Sequence, residues 1–224
     1  LFQWKDGDAM KAIEIPEVPL IFNSPVVSDD GAVIAGAISN FVQPNGNVTA
    51  FVWNRTTGRV ENLGVLPGYR VSRSSDISSD GTIVVGSSAD PASEAYRWTE
   101  ATGMQGLGML PGDTESASSG VSDDGKVIFG ISRRREGGDS ITTDVVWDEQ
   151  LQIHDLLKLV NDHAQINEIP TLSDVYAVSG DQRTIVGEVG DSLVAVYLDR
   201  PLITLICDPN SMGDLDGNGK VEFA

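Results

Sequence analysis

Near the end of the chain, Asp214, Asp216, Asn218, Lys220 and Glu222 recur at every second position, with Gly219 among them. That order matches the first nine positions of a calcium loop, in which acidic or amide side chains alternate up to a glycine. Ca²⁺ takes hard oxygen ligands, and a loop of this pattern wraps them round one ion. Asp214, Asp216 and Asn218 supply side-chain oxygens and Gly219 supplies the sharp turn. Lys220 offers its backbone carbonyl, and Glu222 sits where a water-bridged ligand often stands. The final position of such a loop falls beyond Ala224. Cys207-Asp208-Pro209-Asn210, just upstream, breaks helices, so a full helix–loop–helix unit is not expected. An acidic flexible linker is the competing reading.

Other reactive residues are few. His154 and His163 are the only histidines, flanked by Asp155 and Asp162. Neighbours in sequence do not define a catalytic set, so a helix or loop surface is the expected home of both. Arg133-Arg134-Arg135 precedes Gly137-Gly138 and reads as an exposed loop, either solvated or gripping an acidic glycan or subunit. Cys207 is the single cysteine, so no internal disulfide framework exists.

Charge narrows the partners. Lys plus Arg number 15 against 33 Asp plus Glu, for a formal charge of −18. Nucleic acids and anionic membranes need basic patches, and this balance argues against both. No apolar run is long enough to span a bilayer. The chain opens on Leu1 in mid-pattern, which is expected of a fragment or processed product. The lack of a visible leader therefore carries no weight.

These candidates are positioned by a repeat. Val27–Gly36, Ile77–Gly86, Val121–Gly130 and Val178–Gly187 each run apolar residue, Ser, two residues, a turn residue, then an apolar stretch closed by Gly. Trp4, Trp53, Trp98 and Trp147 stand upstream of them. The turn position falls at 31, 81, 125 and 182, a step of 44 to 57 residues. In the second unit, Ala50–Trp53 alternates as a strand, Val60–Leu66 forms another, and Pro67-Gly68 presets a type II turn. Ser74–Ser78 and Thr82–Gly86 flank Asp80-Gly81, a two-residue hairpin signal. Leu107–Gly112 repeats Leu63–Gly68 almost letter for letter. Four short strands at this period are the size of a propeller blade. A β-solenoid, with shorter coils of roughly 20–30 residues and no antiparallel hairpins, fits less well.

The expected fold is therefore an all-β propeller of four-stranded antiparallel blades. It has four complete repeats, about 1–39, 50–88, 95–133 and 144–189, and a two-stranded partial blade over 193–206. Two further strands ahead of Leu1 would complete a fifth blade; a longer ring is equally allowed. The Trp residues are expected to fill the wedges between blades. In the fourth unit, Ile153, Leu156, Leu157 and Val160 fall at helical spacing and predict a short amphipathic helix. Gln182 replaces the turn glycine there and predicts a different loop. Pro201–Ile206 is expected to be a strand.

The series Ala-Phe-x-Trp, Leu-Gly-x-Leu-Pro-Gly and Ile-Ser-x-Asp-Gly-x-x-Val-Val-Gly-Ser resembles the HAF repeat of bacterial extracellular proteins. The resemblance covers about residues 1–200 and implies a secreted or surface-attached propeller, with no catalytic residues supplied. Residues 207–224 resemble the start of a type I dockerin, which implies Ca²⁺ binding, and a cohesin-like partner only where the tail is complete. The expected function is a non-enzymatic binding or structural module, its ligand a glycan or another surface protein. The alternative is a glycoside hydrolase or polysaccharide lyase built on the same scaffold.

Overall fold

The computed structural model describes residues 2–3, 11–12, 21–39, 48–164, 174–189, 192–198 and 200–207. A short pair comes first, β1 (Phe2–Gln3) with β2 (Lys11–Ala12). The first four-stranded sheet is β3 (Ile21–Val27), β4 (Val33–Ser39), β5 (Val48–Asn54) and β6 (Val60–Gly64). The second is β7 (Val71–Ile77), β8 (Val84–Ala89), β9 (Ser93–Thr99) and β10 (Gly103–Gly106). The third is β11 (Glu115–Val121), β12 (Ile128–Glu136), β13 (Asp139–Trp147) and β14 (Ile153–Asp155). Helix α1 (Leu156–Ala164) then leads to a three-stranded sheet of β15 (Asp174–Val178), β16 (Thr184–Val189) and β17 (Ser192–Tyr197), followed by helix α2 (Leu202–Cys207). Every sheet is an antiparallel meander of neighbours in sequence, and the fold is a β-propeller of such blades.

The blades are phased two strands away from the units read in the sequence. Each four-stranded blade starts at the strand before the Ser-containing turn and ends three strands past it, so the Trp strand is third in its blade. Sequence shows which strands are adjacent, but hydrogen-bond pairing decides where one sheet stops. Three further expectations are corrected. Pro201–Ile206 is not a strand: α2 occupies it, and the helix buries Leu202 and Leu205. Asp80-Gly81 is not a two-residue hairpin, because the ladder ends at the pair Ile77 and Val84 and leaves a longer turn. Gln182 does not change the turn: its φ of 63° matches Gly31 at 67°, Gly81 at 73° and Gly125 at 69°.

One set of bonds explains why all four turns agree. In the second blade the Ser78 hydroxyl donates to Asp80 at 2.7 Å and accepts from the Ile83 amide at 3.0 Å. Asp80 accepts from the Thr82 amide at 2.9 Å, and the Gly81 amide donates to the Ser78 carbonyl at 2.8 Å. Ser28 and Asp30, Ser122 and Asp124, and Ser179 and Asp181 repeat the pattern. Side-chain oxygens satisfy the turn amides, so the residue at positive φ need not be glycine. Gln182 is held there because its side chain is used: Nε2 donates to Asp124 at 2.9 Å and Oε1 accepts from the Ile203 amide at 3.0 Å, which docks α2.

Blades pack through wedges of apolar residues. Val52, Leu63 and Leu66 of the first blade meet Ile77, Val84, Tyr96 and Trp98 of the second. Ile83, Val85, Ala95 and Leu107 of the second meet Val121, Ile128, Val145 and Trp147 of the third. Helices α1 and α2 fill the wedge between the third and fourth blades, where Leu156, Val160, Leu202 and Leu205 pack with Val127, Val146, Ile185 and Val196. Trp98 and Trp147 therefore do pack between blades; Trp4 lies outside the described residues.

Buried serines stitch the same seams. Ser72 accepts from the Ala50 amide of the preceding blade at 2.8 Å, and Ser116 from that of Ala95 at 3.0 Å. Ser74 donates to the Gly36 carbonyl at 3.1 Å, and Ser118 to that of Gly86 at 2.8 Å. Each bond satisfies a backbone group that would otherwise be buried without a partner.

Candidate functional site

An antiparallel meander puts alternate connections at opposite ends of a blade. The Ser-Asp turns and the connections between third and fourth strands share one end. The connections between second and third strands, and from blade to blade, share the other.

At the turn end, the wedge between the first and second blades opens into a groove of about 650 Å³. Val33, Val52 and Trp98 form its apolar floor, and Arg59, Glu61, Asp80, Thr82 and Glu100 supply its charged and hydroxyl groups. The local folding of each wall is legible. Asn54 Oδ1 accepts from the Thr56 and Thr57 amides, both at 3.0 Å, which fixes the loop that delivers Arg59. Arg59 then pairs with Glu61 at 2.9 Å and crosses the groove to Glu100 at 2.8 Å.

Successive residues of β9 face opposite ways, Tyr96 and Trp98 toward the first blade and Arg97, paired with Val85, toward the third. Arg97 has no hydrogen-bond or ion-pair partner among the described residues, and burial holds its guanidinium below the usual arginine range. Trp98 is 6% exposed, and its indole Nε1 likewise has no partner among them. The Nε1 atoms of Trp53 and Trp147 are shut off from solvent without a partner; that of Trp98 is not. Asp80 is held below the ordinary carboxylate range, chiefly by the Thr82 amide. It is an ionised acceptor, and a general acid needs the opposite shift.

The same turn bonds set a pH dependence. Asp30, held low first by the Ala32 amide, and Asp181, held low first by the Ser179 hydroxyl, share the lowered state of Asp80. A carboxyl whose folded pKa is depressed adds stability above its unfolded value and loses it as pH falls through the folded one. Asp76 acts oppositely: burial raises it, although the Val121 and Ile77 amides donate to it. Acidification from neutral first relieves the repulsion of a strongly acidic chain. The melting temperature is therefore expected to hold or rise toward the ordinary aspartate value of 3.8 and to fall below it. Thermal melts across that range check this, and a melting temperature still rising on the acid side would contradict it.

The basic triplet lies at the other end. Arg134 pairs with Asp113 at 3.4 Å and Glu136 at 3.7 Å, while Arg133 and Arg135 reach Glu115 at 3.6 and 3.9 Å. The run is neutralised by its neighbours and braces the long β12–β13 hairpin. His154 bonds Asp148 at 3.0 Å rather than Asp155. Asp148 also accepts from the Gln150 and Gln152 amides, and Asp155 caps α1 by accepting from Lys158 at 2.8 Å. Both acids are engaged in local structure. The side chain of His163 and the loop of Asp214, Asp216, Asn218, Lys220 and Glu222 lie outside the described residues.

Sequence reasoning missed the groove.

Comparison with known proteins supports the fold and stops there. No family model and no curated protein matches the chain. Among solved structures it is similar to a putative TolB from Agrobacterium tumefaciens, at 14% identity and a TM-score of 0.55, over 88% of this chain and 69% of that one. TolB from Acinetobacter baumannii matches at 19% identity and a TM-score of 0.47, over 81% of this chain and 44% of that one. The β-propeller domain of the Trilobed protease from Pyrococcus furiosus matches at 12% identity and a TM-score of 0.43, over 78% of this chain and 69% of that one. The chain thus spans less than half the length of the Acinetobacter protein. Among the described residues, no helix is long and apolar enough to cross a membrane.

Proposed function

We propose that this chain is a non-enzymatic binding and structural propeller of an extracellular or cell-surface protein, holding its ligand in the groove between the first two blades. The groove carries the reading. Its floor of Val33, Val52 and Trp98 is apolar and its rim carries Arg59, Glu61, Thr82 and Glu100, while Asp80 is kept ionised and has no proton to give. That chemistry binds and does not turn over. The resemblance to HAF repeats supports the extracellular setting. The tail loop, Asp214, Asp216, Asn218, Lys220 and Glu222, would bind Ca²⁺ through oxygens and serve as an attachment segment.

The test is retention on a panel of immobilised polysaccharides and surface proteins, with released sugars assayed in parallel. Retention without product is expected. Turnover that disappears on changing an acidic residue would overturn the reading in favour of an enzyme. Calcium is expected to raise the melting temperature and chelator to reverse it; equal melts would remove the tail from the account.

A further inference from the structure

The fourth blade has one covered face and one open face. Val194 and Val196 of β17 pack with Ile185 toward the third blade, and the alternate residues Leu193, Ala195 and Tyr197 point the other way. Val186 and Glu188 of β16 stand beside them, opposite Ala195 and Leu193. Leu193 is 72% exposed and Tyr197 48%. Tyr176 on β15 is 55% exposed, and its hydroxyl donates to Glu188. Three of the five large apolar side chains exposed among the described residues therefore share this one sheet.

The face differs from the seams inside the chain. Val196 pairs with Ile185 as Trp53, Trp98 and Trp147 pair with Ile34, Val84 and Ile128. Leu193, three positions earlier, thus holds the place of Ala50, Ala95 and Asp144, all of them buried. The amides of Ala50 and Ala95 donate to Ser72 and Ser116 of the following blade, an approach that a small side chain permits. A leucine there blocks it. Tyr197 likewise stands where the earlier blades have Asn54, Thr99 and Asp148. Small or polar residues are replaced by large apolar ones, and a contiguous exposed patch of that kind marks a contact surface.

Charge selects the occupant. Of the β16 and β17 residues on this face only Glu188 is charged. Two copies of a chain at −18 repel wherever their acidic surfaces meet, and here they can approach with little charge opposed. The facing side of the first blade offers no second surface, because Ile34, Ile38, Phe51 and Trp53 are already buried. A head-to-tail stack is therefore closed off, and the same patch must meet itself about a two-fold axis. We infer that the open face of the fourth blade is a homodimer surface, with Leu193 and Tyr197 of each copy packed sheet on sheet against those of the other. Three strands of this length span about 14 by 18 Å. That is less than a stable interface of about 800 Å² per partner needs, so the pair is weak and reversible. The groove between the first two blades lies on another wedge, and neither site depends on the other.

Sedimentation velocity on the full chain, from about 5 to about 500 μM, tests the inference. The expected result is a monomer–dimer equilibrium with a dissociation constant of about 10–100 μM and no larger species. Raising NaCl from about 0.05 to about 0.5 M should tighten the pair about 3-fold or more, because salt screens the repulsion and leaves the apolar contact. Leu193→Glu should weaken it about 10-fold or more. The double change Leu193→Thr with Tyr197→Thr, which keeps strand-forming residues, should do the same. Melting curves confirm that each variant is folded, and either suffices if the other fails to fold. Val27→Thr removes an apolar side chain that is 56% exposed on the first blade and should change nothing. A single chain at every concentration overturns the inference. A pair that survives both face variants overturns the location, growth beyond a pair overturns the two-fold, and weakening by salt overturns the apolar contact.

Discussion

Replacing Trp147 with alanine is expected to cost about 3–5 kcal/mol, the largest loss from any single truncation in this chain. Trp147 is fully buried and is the largest such side chain among the described residues. It sits in the wedge between the second and third blades, against Ile83, Val85 and Ala95 on one side and Val121, Ile128 and Val145 on the other. Removing it opens a cavity between two sheets that cannot slide together, because the Ser116 and Ser118 bonds fix their spacing. The indole nitrogen has no partner, so no hydrogen bond is lost and the cost is packing alone. Domain stabilities run at about 5–15 kcal/mol, so the variant will be marginal at 37 °C. Urea unfolding measures it. A loss under about 1 kcal/mol would show that the wedge is not the core of the molecule.

The second large effect concerns the glycine that closes each repeat. In the second and third blades it lies opposite a bulge in the first strand, between Ser74 and Asp76 and between Ser118 and Gly120. The bulge pushes a carbonyl inward, so a Cβ on Gly86 would strike the Arg73 carbonyl, and one on Gly130 the Ala117 carbonyl. The obstacle is backbone and cannot rotate away. Gly36 occupies the same place in the first blade, where the nearest atoms to a Cβ are side-chain ones, the edge of the Phe51 ring at 3.0 Å and the Pro25 Cβ at 3.6 Å. Gly86→Ala and Gly130→Ala are expected to cost about 3 kcal/mol, the upper range for overpacking, and Gly36→Ala about 1 kcal/mol or less. Equal losses at all three positions would mean that the glycines serve conformational freedom rather than close approach.

Much of the fold could be read before the structure was known, for reasons tied to particular residues. Pro67-Gly68 and Pro111-Gly112 form the expected turns, with Gly68 and Gly112 at φ of 91° and 90° and the Tyr69 and Asp113 amides closing them. Helix α1 follows from Leu156, Leu157 and Val160 at helical spacing. The Pro201–Ile206 segment was misread because a short apolar run has no periodicity that separates strand from helix. Gln182 was misread because its conformation is imposed from outside, by Asp124 of the preceding blade and the amide of Ile203. The groove was hidden for a similar reason. Val52 and Trp98 lie 46 positions apart in the chain, and only blade packing makes them one surface. The repeat itself carries packing and turn chemistry. The candidate site appears where the packed wedge between the first two blades opens at its turn end.

The most direct test of that claim is the set of indole N–H signals in a ¹⁵N–¹H correlation spectrum. Four tryptophans give four indole signals, assigned by single Trp→Phe substitutions. Trp53 and Trp147 have buried nitrogens, and Trp98 lines the groove. On titration with a ligand retained in the binding panel, the Trp98 signal is predicted to shift with saturation while those of Trp53 and Trp147 stay fixed. Saturable binding by calorimetry with an unmoved Trp98 signal would contradict the account, because the ligand would then sit elsewhere on the propeller.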